Sequence, residues 1–275
     1  MTDETADGST YEPTYETVRY EREGAVGWVT LDRPEVHHAF NELMQTELAD
    51  LWGRVRRDDA VRCIVLTASG DRAFCTGIDR AEIPSDGKTE FDPLTWDDPG
   101  KKLGPKANAC WKPVIAAVNG MACGGAFYLL GEAEFIIAAD HATFFDPHLT
   151  FGMAAVYEPT MMVPRMPFGE IARLTLMGSH ERLSAARALE IGLVSEIVPG
   201  AELRTAAAWA ANAIASQPSR PLQATVQALW AARELGVRHA LDGANALLTV
   251  GTSAAALAEG QETFATGGRI VPRIR

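Results

Sequence analysis

The chain has 275 residues, 47% hydrophobic and 22% charged, ordinary globular values that exclude a wholly disordered or collagen-like chain. At about 150 residues per domain this length suggests two units, and such a chain buries about 70–75% of its unfolded surface, enough to fold with neither disulfide nor metal. Its 25 Lys and Arg against 36 Asp and Glu leave a net charge of −11, which argues against a broad nucleic-acid-binding face but permits a local basic patch for an anionic small ligand.

Residues 1–14 read as an acidic, disordered tail that lacks the basic start and apolar run of a signal peptide. Ala25–Leu31 is predicted as a strand, and Asn41 as the cap of a helix carrying Met44, Leu48, Leu51, Trp52 and Val55 at helical spacing. Cys63–Thr67 is a short β-rich run, and residues 84–105 read as a surface loop. Val114–Val118 is apolar throughout with β-branched ends, which suits a strand buried on both faces. Asn119-Gly120 turns the chain, and Gly124-Gly125 opens an apolar helix to about Leu130. Strands follow at Phe135–Ala139 and from Thr143 to Asp146, helices from near Pro159 to Leu189, and a last strand at Val194–Val198. From Ala201 to about Gly260 the pattern is helical. Strands alternating with helices, then helices alone, give an α/β core with a helical extension and no apparent internal repeat.

Cys63, Cys75, Cys110 and Cys123 contain no C-x-x-C pair, so they read as buried thiols of a reducing compartment, and no metal site is expected. Every apolar stretch breaks before about 18 residues, so no membrane span is expected and the location predicted is cytoplasmic. G-x-S-x-G, H-E-x-x-H, the P-loop and G-x-G-x-x-G are all absent. Lys112–Ala126 (KPVIAAVNGMACGGA) reads as strand, turn and helix start. N–H groups at a helix start lack intrahelical acceptors, the dipole adds partial positive charge, and glycine lets a ligand approach the backbone. Such a segment either holds a developing oxyanion or is merely a tightly packed turn.

A second segment, Arg72–Arg80 (RAFCTGIDR), follows a strand and a turn. Together the two resemble the crotonase (enoyl-CoA hydratase/isomerase) superfamily. The family pattern F-x-A-G-A-D stands here as Phe74-Cys75-Thr76-Gly77-Ile78-Asp79, and K-P-x-I-A-A-x-x-G-x-x-x-G-G-G ends on Ala126 in place of its third glycine. Ala142–Gly152 and Leu183–Val194 also match, and the resemblance covers about residues 16–265. It implies an α/β fold: a spiral of ββα units over 15–200 and a helical oligomerisation region over 201–275, in trimers or hexamers made of two trimers. It implies an acyl-CoA thioester substrate, lyase or isomerase chemistry, and no cofactor apart from coenzyme A as part of the substrate. The backbone N–H groups of Ile78 and Gly125 would form the oxyanion hole for a thioester enolate, while His38, Ala39, Gly77, Asp79, Arg80 and Gly124 would lie against the substrate and its CoA. Phe127, Phe145, Phe151 and Met153 are candidates for a hydrophobic pocket.

The two glutamates of a family hydratase are missing: Tyr128 and His148 stand in their positions. A phenol of pKa about 10 and an imidazole of about 6.5 are no simple substitutes for two carboxylates. A histidine at this position also occurs in the family's β-diketone hydrolases, so His148 could act as a general base for water in C–C bond hydrolysis. Glu158, ten residues on, and Asp146, two before, could each orient the imidazole. A non-catalytic acyl-CoA-binding member is the third reading. On residues 201–258 the apolar faces Leu203, Ala207, Ala211, Ile214 and Leu222, Val226, Trp230 are expected to form a shared trimer surface.

Overall fold

A computed structural model describes residues 14–82, 98, 100–265 and 270–275. A hairpin of β1 (Val18–Glu23) and β2 (Val26–Leu31) opens the fold. Helix α1 (Glu42–Val55) starts where Asn41 Oδ1 accepts the Met44 N–H at 2.9 Å, and buries Met44, Leu48, Leu51, Trp52 and Val55 as their spacing requires. A buried strand followed by a tight turn and a short strand then recurs: β3 (Cys63–Ala68) with β4 (Ala73–Cys75), and, after α2 (Gly100–Leu103), β5 (Val114–Val118) with β6 (Met121–Cys123). Helix α3 (Ala126–Gly131) leads to the third copy, β7 (Phe135–Ala139) and β8 (Thr143–Phe145). Helices α4 (Tyr157–Met162) and α5 (Phe168–Met177) precede β9 (Leu183–Ser184), α6 (Ala185–Glu190) and β10 (Glu196–Val198). The chain ends in α7 (Leu203–Ala215), α8 (Ser219–Leu235), α9 (Val237–Gly251) and α10 (Ala254–Ala265).

Each repeat gives its first strand to one sheet and its second to another. The larger sheet runs β1-β2-β3-β5-β7-β10 and is parallel from β2 onward; the smaller runs β4-β6-β8-β9. This is the expected α/β spiral, a repeat of backbone path with no repeat of sequence. Parallel central strands are covered on both faces, which explains the unbroken apolar run Val114–Val118, buried at every residue. One face packs against α1, α3 and the smaller sheet, and the other against α7.

That second face corrects the expectation for the C-terminal region. Leu203, Ala207, Ala210 and Ala211 of α7 lie on Trp28, Val65, Ile115 and Ile137 of their own chain. Without α7 that face of the sheet would be bare. Trp230 of α8 is also buried in its own chain, and its Nε1–H donates to Glu134 Oε1 at 2.6 Å. The apolar surface left open lies farther out, with Leu229 and Leu235 on α8 and Leu241 and Leu248 on α9, each more than 60% exposed.

The reading of a disordered tail over 1–14 falls on residues outside those described except at residue 14, and that of 84–105 as a loop falls largely outside them. Its end is helical and interior: Leu103 is fully buried, and its carbonyl accepts the Trp52 Nε1–H at 2.8 Å. Lys112 is interior as well, 1% exposed, with its ammonium capped by the carbonyls of Asp58 and Val61. All four cysteines are free and buried.

Candidate active site

Parallel pairing of β4 with β6 sets Cys75 beside Ala122, so the two chains leave the small sheet side by side. Gly77 follows β4 with φ +86°, and Gly124 follows β6 with φ +54°. Only glycine adopts such angles freely. A Cβ on Gly77 would stand 2.8 Å from the Gly125 nitrogen, and one on Gly125 would stand 2.5 Å from Phe40 Cε1. The two turns therefore touch backbone to backbone. Phe40 locks the first turn: its N–H donates to Gly77 O and its carbonyl accepts from Asp79 N–H, both at 2.8 Å. Among the described residues neither the Ile78 N–H nor the Gly125 N–H finds an acceptor. Gly125 also caps α3. Two pre-set donors of this kind can hold an oxygen that gains negative charge.

His148 begins a 3-10 turn after β8. Its Nδ1–H donates to Asp146 Oδ1 at 2.5 Å, and its backbone N–H donates to the same oxygen at 3.1 Å. The contact arises from this turn rather than from two side chains on one strand face, because β8 ends at Phe145. Asp146 is 1% exposed, and its Oδ2 has no partner among the described residues. The carboxylate fixes the ring tautomer and leaves Nε2 facing Glu158 Oε1 at 3.4 Å. Cε1 lies 3.6 Å from where a Gly124 side chain would begin, so the ring stands beside the Gly124–Gly125 turn. The hydrogen bond to Asp146 holds the imidazole above its usual range, against the pull of burial, and Glu158 adds to the rise. Burial pushes the Glu158 carboxyl up, with His148 opposing.

Tyr128 projects from α3 and donates its hydroxyl to Asp98 Oδ2 at 2.8 Å. The Glu158 carboxylate also bears on it electrostatically. Burial and the two carboxylates drive its pKa far above that of a free phenol, so it stays neutral and is no general base. Of the residues expected in the two glutamate positions, His148 thus faces the Glu158 carboxyl brought in by α4, and Tyr128 is tied to Asp98.

His38 is placed otherwise than as a ligand-binding ring. It is 2% exposed; Nδ1 accepts the Arg33 N–H at 3.0 Å and Nε2 donates to Ser69 O at 2.9 Å, so no ring nitrogen is left for a ligand. Asp79 pairs with Arg33 at 2.9 Å, and Arg33 donates to the Ala39 carbonyl at 2.6 Å, tying the His38–Ala39 loop to the Ile78 turn. Arg80 lies over the Phe151 ring at 4.4 Å. Beside these loops is a cleft of about 490 Å³ lined by Ala39, Ile78, Arg80, Cys123, Phe145 and Arg182, among others. Of the pocket candidates, Phe145 and Phe151 line this cleft, Phe127 belongs to the core, and Met153 is exposed. Sequence reading missed Arg33, Arg182 and Asp98. Arg33 and Arg182 carry no motif of their own, and Asp98 fell within a segment read as loop.

The model of the family described as enoyl-CoA hydratase/isomerase matches residues 21–269. The chain belongs to that family. It is 34% identical to (E)-benzylidenesuccinyl-CoA hydratase of Thauera aromatica, over 78% of this chain and 83% of the relative. It is 32% identical to 1,2-epoxyphenylacetyl-CoA isomerase of Escherichia coli, over 75% and 79%. The crystal structure of an enoyl-CoA hydratase/isomerase from Mycobacterium paratuberculosis superposes with a TM-score of 0.82 at 32% identity, covering 93% of this chain and 97% of that one. The family's spiral with its C-terminal helices is therefore the fold of this chain. No described helix is long and apolar enough to cross a membrane.

If Asp146 raises the basicity of His148, the Asp146→Asn protein will lose part of that rise. Its His148 ring resonances in a 15N-edited titration will show protonation at lower pH than in the unsubstituted protein. An unchanged titration would separate Asp146 from the imidazole.

Proposed function

We propose that this enzyme adds water to, or removes it from, an α,β-unsaturated acyl-CoA thioester. The carrying observation is the fixed imidazole of His148 facing the Glu158 carboxyl beside the Gly124–Gly125 turn. The thioester oxygen accepts the Ile78 and Gly125 N–H groups. His148 Nε2 takes a proton from water while its oxygen attacks the β-carbon. The double-bond electrons move toward the thioester oxygen, and Glu158 gives its proton to the α-carbon. The proton on Nε2 then crosses to Glu158, restoring both groups. The cleft lined by Ala39, Ile78, Arg80 and Arg182 takes the CoA portion, with Gly77 and Asp79 holding the loops that border it. Both named relatives carry aryl acyl groups in their names, and Phe145 and Phe151 suit such a group here.

The Asp146–His148 pair also suits a base that activates water for cleavage of a β-diketone or β-keto thioester, the second reading. Crotonyl-CoA and cinnamoyl-CoA, followed by loss of the conjugated thioester absorbance, test the first; consumption of β-diketones tests the second. Hydration predicts absorbance loss with at least one thioester. His148→Ala and Glu158→Gln should each lower kcat by about 10²–10⁴-fold with unchanged circular dichroism. The active pair holds one proton, so the pH profile of kcat/KM is a bell. Activity falls at low pH when a second proton is added and at high pH when the last is lost. Both groups are shifted upward, so the limbs lie above 4.5 and above 6.5. Full activity of His148→Ala would overturn this reading.

The same proposal places the protein in the cytoplasm, its four thiols reduced and buried, as a homotrimer or a hexamer of two trimers. The exposed leucines of α8 and α9 supply the apolar surface that association would cover. Light scattering at micromolar concentration should give three or six times the 29.6 kDa chain mass, and Leu241→Asp should lower it. A single monomeric mass for the unsubstituted protein would contradict the assembly.

A further inference from the structure

We propose that Arg233 is a positioning residue: from the C-terminal helix α8 it ties the ends of α3 and α4 together and so sets the gap between His148 and Glu158. The proposal rests on the reading of Glu158 as the proton donor. Arg233 Nη1–H donates to Gly131 O at 3.2 Å, and Nη2–H donates to Met161 O at 2.9 Å. Gly131 ends α3, and Met161 lies in the last turn of α4. Carbonyls of a last turn lack intrahelical donors, so a planar fork can take one from each helix. The two helices touch at this point. A Cβ on Gly131 would stand 3.1 Å from Met161 Cε and 3.2 Å from Met161 Cβ. Arg165, in the turn after α4, adds bonds to Gly131 O at 3.2 Å and to Ala133 O at 2.6 Å.

Both helices lead from this join to the site. Helix α3 has six residues, about 9 Å of rise, and its other end opens on the Gly124–Gly125 turn beside which the His148 ring stands. Glu158 lies about one turn before Met161 on α4, with Oε1 3.4 Å from His148 Nε2. A change in the angle between the helices at the join therefore alters the gap between carboxyl and imidazole. Arg233 is itself held in place. Its guanidinium lies 4.5 Å from the centre of the Trp230 ring, one turn before it on α8. The Trp230 indole N–H donates to Glu134 Oε1 at 2.6 Å, and Lys106 Nζ pairs with the same oxygen at 3.0 Å. Glu134 Oε2 accepts the Val114 N–H at the start of β5. Through Glu134 and Trp230 the larger sheet thus fixes the guanidinium, and through the guanidinium it fixes the join.

The test is a 15N-edited titration of His148 in the full-length protein without substrate, beside steady-state kinetics with an enoyl-CoA thioester. Glu158→Gln removes the carboxyl and fixes how far the His148 midpoint falls without it. Arg233→Met keeps the stem beside Trp230 and removes the fork. Its midpoint should lie between those of Glu158→Gln and the unsubstituted protein, because the freed carboxyl stands farther from the ring. Added to Glu158→Gln, the same substitution should move the midpoint no further. Arg233→Lys keeps the charge but cannot bridge both carbonyls; it should act in the same sense, which covers a folding failure of the methionine variant. In the kinetics Arg233→Met should lower kcat by about 10–100-fold with KM unchanged. A midpoint unmoved in the folded variants, or an equal fall without Glu158, overturns the assignment. If the midpoint moves as expected but the unsubstituted protein turns over no enoyl thioester, the hydration reading fails and the control of the gap by Arg233 stands. If turnover needs Glu158 but neither the titration nor kcat responds to Arg233, the reverse holds.

Discussion

Two turns meet backbone to backbone at Gly77 and Gly125, and the rest of the site is arranged around that contact. A side chain at either position would force the turns apart, by collision with the Gly125 nitrogen in one case and with the Phe40 ring in the other. The contact also depends on elements far apart in the chain. Parallel pairing of β4 and β6 brings the turns together, and Phe40, from the loop before α1, pins the first of them. Both free N–H groups are held by backbone geometry, so they need no reorganisation when charge develops on a bound oxygen.

Around this frame the chain solves an electrostatic problem in its own way. Two facing carboxylates would share one proton; here an imidazole, His148, faces a single carboxyl. The carboxyl arrives instead from α4 as Glu158, 3.4 Å from the imidazole. Asp146, almost fully buried, compensates a positive charge on the ring and fixes its tautomer. Burial raises Glu158 and the Asp146 hydrogen bond raises His148, each for its own reason, and the proposed base and acid stand side by side.

Much of the fold is legible in residue patterns because its strands are buried on both faces and its helices on one. Val114–Val118 and Phe135–Ala139 stand out as apolar runs, and Asn41 marks the start of α1. Gly77, Gly124 and Gly125 are visible through their motifs, and their contact gives those motifs a steric cause. Less legible is anything set by distant contacts. Small strands such as Met121–Cys123 exist only because a second sheet receives them. The apolar stripe of α7 reads equally well as a subunit interface and as a cover for Trp28 and Val65; only the sheet beneath it decides. His38 sits in a motif position, yet its ring is spent on Arg33 and Ser69. Asp98 belongs to a stretch rich in Asp, Gly and Pro, where nothing local marks it out from its neighbours.

If the Ile78 and Gly125 N–H groups hold a thioester oxygen, they polarise its carbonyl. Isotope-edited infrared difference spectroscopy of a bound acyl-CoA, 13C-labelled at the thioester carbon, measures that polarisation directly. Two hydrogen bonds from backbone donors should move the carbonyl stretch to lower frequency than in water, by more than a single solvent hydrogen bond does. A bound thioester whose carbonyl absorbs at or above its frequency in water would show that these two N–H groups do not hold the oxygen.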